Sequence, residues 1–104
     1  MPTKHGKGYI YAELEVTDSD HFYNEYMPRV RPVLEKYKAV FRIASNEPQV
    51  LEGGRNIKRV ILLEFATLAG ANDFYHSEDY QAVIDYRFRS ARTHLFIVEG
   101  TPDA

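Results

Sequence analysis

Apolar and polar side chains alternate along residues 8–16 of the chain. The apolar positions of this segment are Ile10, Ala12, Leu14 and Val16. The positions between them carry Tyr9, Tyr11, Glu13 and Glu15. Because successive side chains of a strand point to opposite faces, this period of two predicts a β-strand with one dry face and one polar, aromatic face.

A different spacing follows, and it is typical of an amphipathic helix that ends near Tyr37. Its larger apolar and aromatic side chains recur at steps of three and four residues, at Tyr23, Tyr26, Val30, Val33, Leu34 and Tyr37. Residues 17–20 supply hydroxyl and carboxylate groups that can cap the helix N-terminus. Pro28 and Pro32 lack a backbone N–H, so we expect a kink or break between them.

Further strands are predicted at Val40–Ser45, Arg59–Phe65 and His94–Glu99. The last two are apolar on both faces, which is typical of strands that are covered on both sides. Turn residues at 46–48 end the first of these strands, and Gln49–Glu52 is a candidate continuation of it beyond the turn.

Helical spacing returns between the last two strands. Leu68–Tyr75 is predicted as a short helix, and Ser77 is placed to cap a second helix over residues 78–89. The resulting order β-α-β-β-α-β is the split pattern of a ferredoxin-like sandwich. We therefore predict an α+β fold with an antiparallel four-stranded sheet, formed as one domain by residues 1–104.

This architecture predicts a homodimer. Two helices cover only one face of a four-stranded sheet, yet the third and fourth strands are apolar on both faces. The uncovered face would present a contiguous apolar patch, which on water-soluble proteins usually marks an interface. The fourth strand also lies at a sheet edge in this topology. Stacking two sheets face to face about a two-fold axis would cover the patch.

Composition and charge exclude several classes of partner. The 104 residues carry a formal net charge of −2, without the basic surface that a nucleic acid requires. There is no cysteine, which fits a reducing cytoplasm.

The first residues lack the apolar segment of a signal peptide, and no apolar run approaches the ~20 residues that span a bilayer. We expect a cytoplasmic protein without nucleic-acid or membrane partners.

Four segments together resemble the family known as domain of unknown function 1330. They are the opening Gly8–Asp18, Pro32–Tyr37, Phe74–Gln81 and the closing Leu95–Gly100. The resemblance spans roughly residues 8–100 and implies the ferredoxin-like dimer of the dimeric α+β barrel proteins. It implies no particular activity. The wider superfamily includes cofactor-free oxygenases, lactone isomerases and haem-binding enzymes. An activity inferred from this superfamily would rest on the shared fold alone.

The sequence departs from the family pattern at two places. Glu78 stands where similar sequences often carry a proline at the first position of a helix. Lys38 and Ala39 stand where many relatives have glycines after the tyrosine that matches Tyr37. The end of the first helix is therefore expected to be capped differently.

The candidate catalytic residues are His76, Arg87 and Glu64, and each has a structural alternative. His76 lies at a junction of two helices and can act as acid or base, or it is a solvent-facing residue at a helix end. Arg87 belongs to a cluster with Arg89 and Arg92, which either complements the helix dipole or clamps an anion. Its spacing of seven residues from Tyr80 directs Arg87 toward the sheet.

Glu64 interrupts the apolar run of its strand. A carboxylate there costs free energy unless it is paired, so it either meets Arg42 on a neighbouring strand or is a base with a raised pKa. No metal site is predicted, because the histidines at 5, 21, 76 and 94 lack the spacing of metal ligands, and no sequence motif indicates a cofactor.

Two main functions remain open from the sequence, beside haem or flavin binding, which only the analogy with the superfamily suggests. The first is binding or transformation of a small organic molecule in a pocket between helices and sheet. Its expected wall residues are Tyr11, Glu13, Tyr26, His76, Tyr80 and Arg87. The second is a non-catalytic accessory dimer, in which the apolar sheet face is only an interface and the tyrosines fill the rim of a small core. The sequence leaves open whether the protein is an enzyme.

Overall fold

A computed structural model describes residues 6–102 and contains a four-stranded antiparallel sheet. Its strands are β1 (Gly8–Val16), β2 (Val40–Asn46), β3 (Arg59–Phe65) and β4 (Ala91–Glu99). They lie in the order β2-β3-β1-β4, with β1 paired to both β3 and β4. The predicted α+β fold is confirmed, and β4 lies at a sheet edge as the topology required.

Helices cover one face of this sheet. The first crossover contains α1 (Ser19–His21), a π-helical turn (Phe22–Tyr26) and α2 (Met27–Lys36). The second crossover contains α3 (Leu68–His76), α4 (Glu78–Gln81) and α5 (Ile84–Ser90). The covered face of the sheet, called the inner face below, contributes Ile10, Ala12, Leu14, Leu63 and Phe65 to the buried core.

The expected irregularity of the first helix is a wide turn that precedes Pro28. The Met27 N–H donates to the carbonyl of Phe22, five residues back, instead of the usual four. Pro28 has no N–H to donate to the Asn24 carbonyl, and its ring crowds that oxygen in a regular helix. The π-helical turn gives the extra space. The helix then continues through Pro32 to Lys36, so it does not break between the two prolines.

At the end of α2, Lys38 stands at a position where many related sequences have glycine. Lys38 has a φ of 59°, in the left-handed region that favours glycine. The Lys38 N–H donates to Glu35 and the Ala39 N–H donates to Leu34, at 3.1 and 2.9 Å. This is a Schellman cap with lysine at the position that glycine normally takes. The cap keeps its usual form, and lysine carries the cost of the left-handed backbone.

Three predicted boundaries were wrong: the end of β2, the extent of the helix after Ser77, and the start of β4. Gln49–Glu52 does not continue β2, because Asn46 is the last residue of that strand with a partner and residues 47–58 form a loop. The predicted helix over residues 78–89 is divided, since the Val83 N–H donates to Tyr80, only three residues back. The β-branched pair Val83–Ile84 also has low helix propensity.

Strand β4 begins at Ala91, three residues earlier than predicted. Ala91 pairs with Val16, which extends the ladder between β4 and β1 to the end of both strands. Directly before it, the Ser90 carbonyl accepts hydrogen bonds from the N–H groups of Thr17 and Asp18, at 2.8 and 3.1 Å. These contacts hold the end of α5 against the end of β1.

The other face of the sheet, called the outer face below, has no helix over it. One row of cross-strand neighbours runs Ile43, Leu62, Tyr11 and Phe96 across the four strands. Phe96 is 50% exposed and Ile43 is 43% exposed. The contiguous apolar patch expected from the sequence is therefore present.

Candidate functional site

A cavity of about 80 Å³ lies between the helices and the inner face of the sheet. Most of its wall is apolar, with Leu14, Leu63 and Leu95 from the strands and Phe22, Val30 and Phe74 from the helices. The strand residues share one face because they alternate with outward-facing neighbours. The helix residues lie on the stripes that pack onto the sheet.

Three polar side chains interrupt this apolar wall. The hydroxyl oxygens of Tyr26 and Tyr80 lie 3.0 Å apart, and Arg87 Nε donates to the Tyr80 hydroxyl at 3.1 Å. Their exposed fractions are 7% for Tyr26, 2% for Tyr80 and 4% for Arg87. All three line the cavity. The prediction that Arg87 points toward the sheet is confirmed.

Local structure brings these residues together. Tyr26 is the last residue of the π-helical turn, so the wide turn ahead of Pro28 sets where its side chain enters the core. Ser77 caps α4 by accepting from the Tyr80 N–H at 3.0 Å, as the sequence predicted. Arg87 follows Tyr80 by seven residues, and although α4 ends at Gln81 and α5 begins at Ile84, Arg87 Nε lies within hydrogen-bond distance of the Tyr80 hydroxyl.

The charge of Arg87 has no counterion within residues 6–102, where none of the observed salt bridges involves it. A guanidinium stays protonated in proteins, so the cavity wall carries a fixed positive charge. The centroid of the Phe88 ring lies 5.1 Å from the guanidinium carbon of Arg87. Burial, followed by the neighbouring Tyr80, raises the pKa of Tyr26 well above its ordinary value of 10.0. The Tyr26 phenol therefore remains a proton donor at neutral pH.

Two further polar groups line the cavity that the sequence analysis did not select. Arg59 Nε and Thr93 Oγ1 are buried without a hydrogen-bond partner, and both residues belong to the cavity wall. They flank Leu14 on the neighbouring strands. The alternation of side chains along a strand could have identified both residues from the sequence. Arg59 lies on the same face as Ile61 and Leu63, and Thr93 lies on the same face as Leu95.

Tyr11 and Glu13 lie on the outer face, so the six expected wall residues do not share one pocket. The Tyr11 hydroxyl donates to Glu13 Oε2 at 3.1 Å, and Glu13 forms a salt bridge with Arg55. The Tyr11 ring lies against Phe96, with ring centroids 5.2 Å apart. The sheet separates both residues from the cavity because they alternate with Ile10, Ala12 and Leu14.

Glu64 also lies on the outer face, and it is an ion-paired carboxylate. Lys7 Nζ approaches Glu64 Oε1 at 2.7 Å, and Arg42 forms the second salt bridge, as one alternative from the sequence predicted. Hydrogen bonds from Lys7 and then from Arg42 lower the pKa of Glu64, and they outweigh the opposite effect of burial. The alternative of a base with a raised pKa is therefore wrong.

His76 is exposed at the last turn of α3, with its ring edge-on to Tyr75 at a centroid distance of 5.2 Å. It does not belong to the cavity wall.

Over residues 6–102, no group of three or more His, Asp or Glu side chains could hold a metal ion. In the same range, no helix is long and apolar enough to cross a membrane.

The family model described as domain of unknown function, DUF1330, matches residues 7–101. This chain belongs to the DUF1330 family. The match covers every strand of the sheet and all three residues of the buried polar cluster. No curated protein matches the sequence significantly.

Solved structures share the DUF1330 fold seen here at low sequence identity. A protein of unknown function from Rhodopseudomonas palustris, RPA0582, is 13% identical with a TM-score of 0.73, over 94% of this chain and 85% of that one. HapK from Hahella chejuensis is 10% identical with a TM-score of 0.62, over 93% and 95%. A dabb family protein with a ferredoxin-like fold from Mesorhizobium loti is 12% identical with a TM-score of 0.55, over 92% and 98%. At these identities the likeness establishes the fold alone.

Proposed function

We propose that this DUF1330 protein is a cytoplasmic homodimer, with one domain per chain, that binds or transforms a small organic molecule in the cavity between helices and inner sheet face. The observation that carries the proposal is the buried cluster of Tyr26, Tyr80 and Arg87 on an otherwise apolar wall. Binding sites for small molecules combine this kind of apolar lining with a few convergent polar groups.

The cost of the cluster supports a functional role. Polar and charged groups that leave water lose hydration, and hydrogen bonds among themselves only partly offset the loss. Apolar residues of similar volume would fill the same space at lower cost. A ligand that completes the interactions of the cluster accounts for the presence of these polar groups in the core of a small protein.

The outer face supports the homodimer. Its central row of Ile43, Leu62, Tyr11 and Phe96 is apolar or aromatic, and its carboxylates at Glu13 and Glu64 are already paired within the chain. A face of this kind can meet an identical face about a two-fold axis, because apolar side chains meet apolar side chains and neither carboxylate is left without a cation. We therefore propose a second copy of this chain as its occupant.

The alternative function is an accessory dimer that binds no ligand. The exposed sheet face favours it, since that face would serve dimerisation whether or not the cavity is used. Under this alternative the cavity is a packing defect, and the polar cluster only fixes the relative positions of α4, α5 and the π-helical turn.

Native mass spectrometry of the protein as purified tests both parts of the proposal. We expect twice the chain mass of 12.1 kDa, with a small-molecule adduct that is lost under denaturing conditions. A dimer without an adduct that also fails to bind added small organic molecules would support the accessory alternative. A monomer at micromolar concentration would contradict the homodimer and leave the cavity proposal standing.

A further inference from the structure

We propose that the ligand of this cavity is an organic anion with a short apolar body and one carboxylate, and that the carboxylate binds at Arg87. This inference rests on the proposed small-molecule function and specifies its chemical class. It draws on the charge of the wall, on the type of its polar groups and on the cavity volume.

The charge of the wall favours an anion. Arg87 is only 4% exposed, and within residues 6–102 it forms a hydrogen bond to a neutral phenol and no salt bridge to a carboxylate. Buried charges in proteins are normally paired or bound to an ion. A carboxylate on the ligand would supply the missing opposite charge, and guanidinium groups bind carboxylates through two parallel hydrogen bonds.

The polar groups of the wall include several donors but no carboxylate. Arg59 Nε–H is a donor without an acceptor, and the Thr93 hydroxyl is also without a partner. The Tyr26 phenol stays protonated because burial raises its pKa. A ligand rich in acceptor oxygens satisfies such a wall, whereas an ammonium ion would find no carboxylate on it.

The volume limits the apolar body of the ligand. An engineered apolar cavity of about 150 Å³ holds one benzene molecule. The cavity here is about 80 Å³, roughly half of that volume. Benzene has six non-hydrogen atoms, so this space holds a ligand of about three to four, with the carboxylate included, and acetate is the probe of matching size.

The experiment titrates the full-length protein with acetate, acetamide and ethylammonium, and follows backbone amide shifts by NMR. Acetate and acetamide have nearly the same shape and differ in charge, and ethylammonium is a cation of similar size. We expect acetate to bind at least tenfold more tightly than acetamide, and ethylammonium not to bind. The largest shifts are expected at cavity residues such as Leu14, Met27 and Leu95.

Variants assign the preference to Arg87. Arg87→Met should bind acetate and acetamide equally, while Arg89→Met, which removes an exposed arginine two residues further along α5, should behave as wild type. If Arg87→Met does not fold, Arg87→Gln replaces it, because it removes the charge, keeps an N–H donor for the Tyr80 hydroxyl and should also abolish the preference for acetate.

The outcomes separate the two proposals. Equal binding of acetate and acetamide to wild type would overturn the carboxylate inference and retain the small-molecule function. A preference for acetate that is unchanged in Arg87→Met or Arg87→Gln would also overturn it. Failure of all three probes to bind would overturn the inference, and native mass spectrometry then tests the proposed function separately.

Discussion

The hydroxyl groups of Tyr26 and Tyr80 meet at 3.0 Å in the core, although 54 residues separate them in the chain. The Tyr80 hydroxyl also accepts from Arg87 Nε at 3.1 Å, and either phenol can be the donor in the bond between the two tyrosines. The pair therefore links the first crossover of the fold to the second through a continuous chain of hydrogen bonds.

Removal of the Tyr80 hydroxyl is expected to be costly. Tyr80→Phe leaves a buried guanidinium N–H without its acceptor, and hydrogen bonds to charged groups contribute about 1.5–3 kcal/mol. Tyr26→Phe removes a bond between two neutral groups, worth about 1 kcal/mol. Urea denaturation measures both free energies of unfolding. Tyr23→Phe is the control, since Tyr23 is 48% exposed. Equal stabilities of Tyr80→Phe and Tyr23→Phe would contradict the assigned hydrogen bond.

Lys38→Gly is expected to stabilise the protein. Lys38 holds a φ of 59° at the end of α2, where a side chain costs about 1 kcal/mol and glycine does not. An increase of about 1 kcal/mol would raise the Tm by about 4 °C or more. Lys38→Ala is the matched control, because it removes the charge and the long side chain but keeps Cβ. The backbone explanation fails if both variants melt at the same temperature.

Glu64 should make stability depend on pH in the acid range. Its ion pairs hold the folded-state pKa below the ordinary value of 4.5. The stabilisation is therefore complete above the unfolded-state pKa and is lost as the pH falls through the folded-state pKa. Between about pH 6 and pH 3, wild type should lose more stability than Glu64→Gln. Glu52→Gln, in the exposed 47–58 loop, should follow wild type. Parallel pH profiles for wild type and Glu64→Gln would refute the assignment.

A charge at Phe96 should weaken the proposed dimer. Phe96 is 50% exposed in the centre of the outer face, where a carboxylate would lose its hydration against a second copy. Central aromatic side chains of interfaces contribute about 2 kcal/mol or more. Phe96→Glu should therefore sediment as a monomer at concentrations where wild type is a dimer. Tyr23→Glu changes a similarly exposed residue on the helical side and should remain dimeric. An unaltered dimer in Phe96→Glu would exclude the outer face as the interface.

The element order, the edge position of β4 and the position of most helices follow from the sequence. Alternation along residues 8–16 defines the two faces of β1, and the spacing from Tyr23 to Tyr37 defines the buried stripe of the first helical segment. Because side chains alternate along a strand, the position of each residue also identifies the face of the sheet on which its side chain lies. It assigns Tyr11 and Glu13 to the face opposite Ile10, and this assignment alone separates them from a pocket on the inner face.

Local pattern did not predict the π-helical turn, the division of residues 78–89 into two helices, or the contact of Lys7 with Glu64. The wide turn depends on the fit of Pro28 against the preceding carbonyl, and the division lies where the Val83 N–H donates to Tyr80, three residues back. Lys7 approaches Glu64 only after β1 and β3 have aligned with each other.

The sequence by itself determined the fold and an apolar outer face, because the periods of two and of three to four residues are local properties of strands and helices. Only the tertiary structure decided the site. Tyr26, Tyr80, Arg87, Arg59 and Thr93 come from five separate elements, and their side chains surround one cavity only after both crossovers have packed onto the inner face. A contact between distant segments depends on how whole helices and strands pack together. The spacing of residues within one segment does not determine that packing.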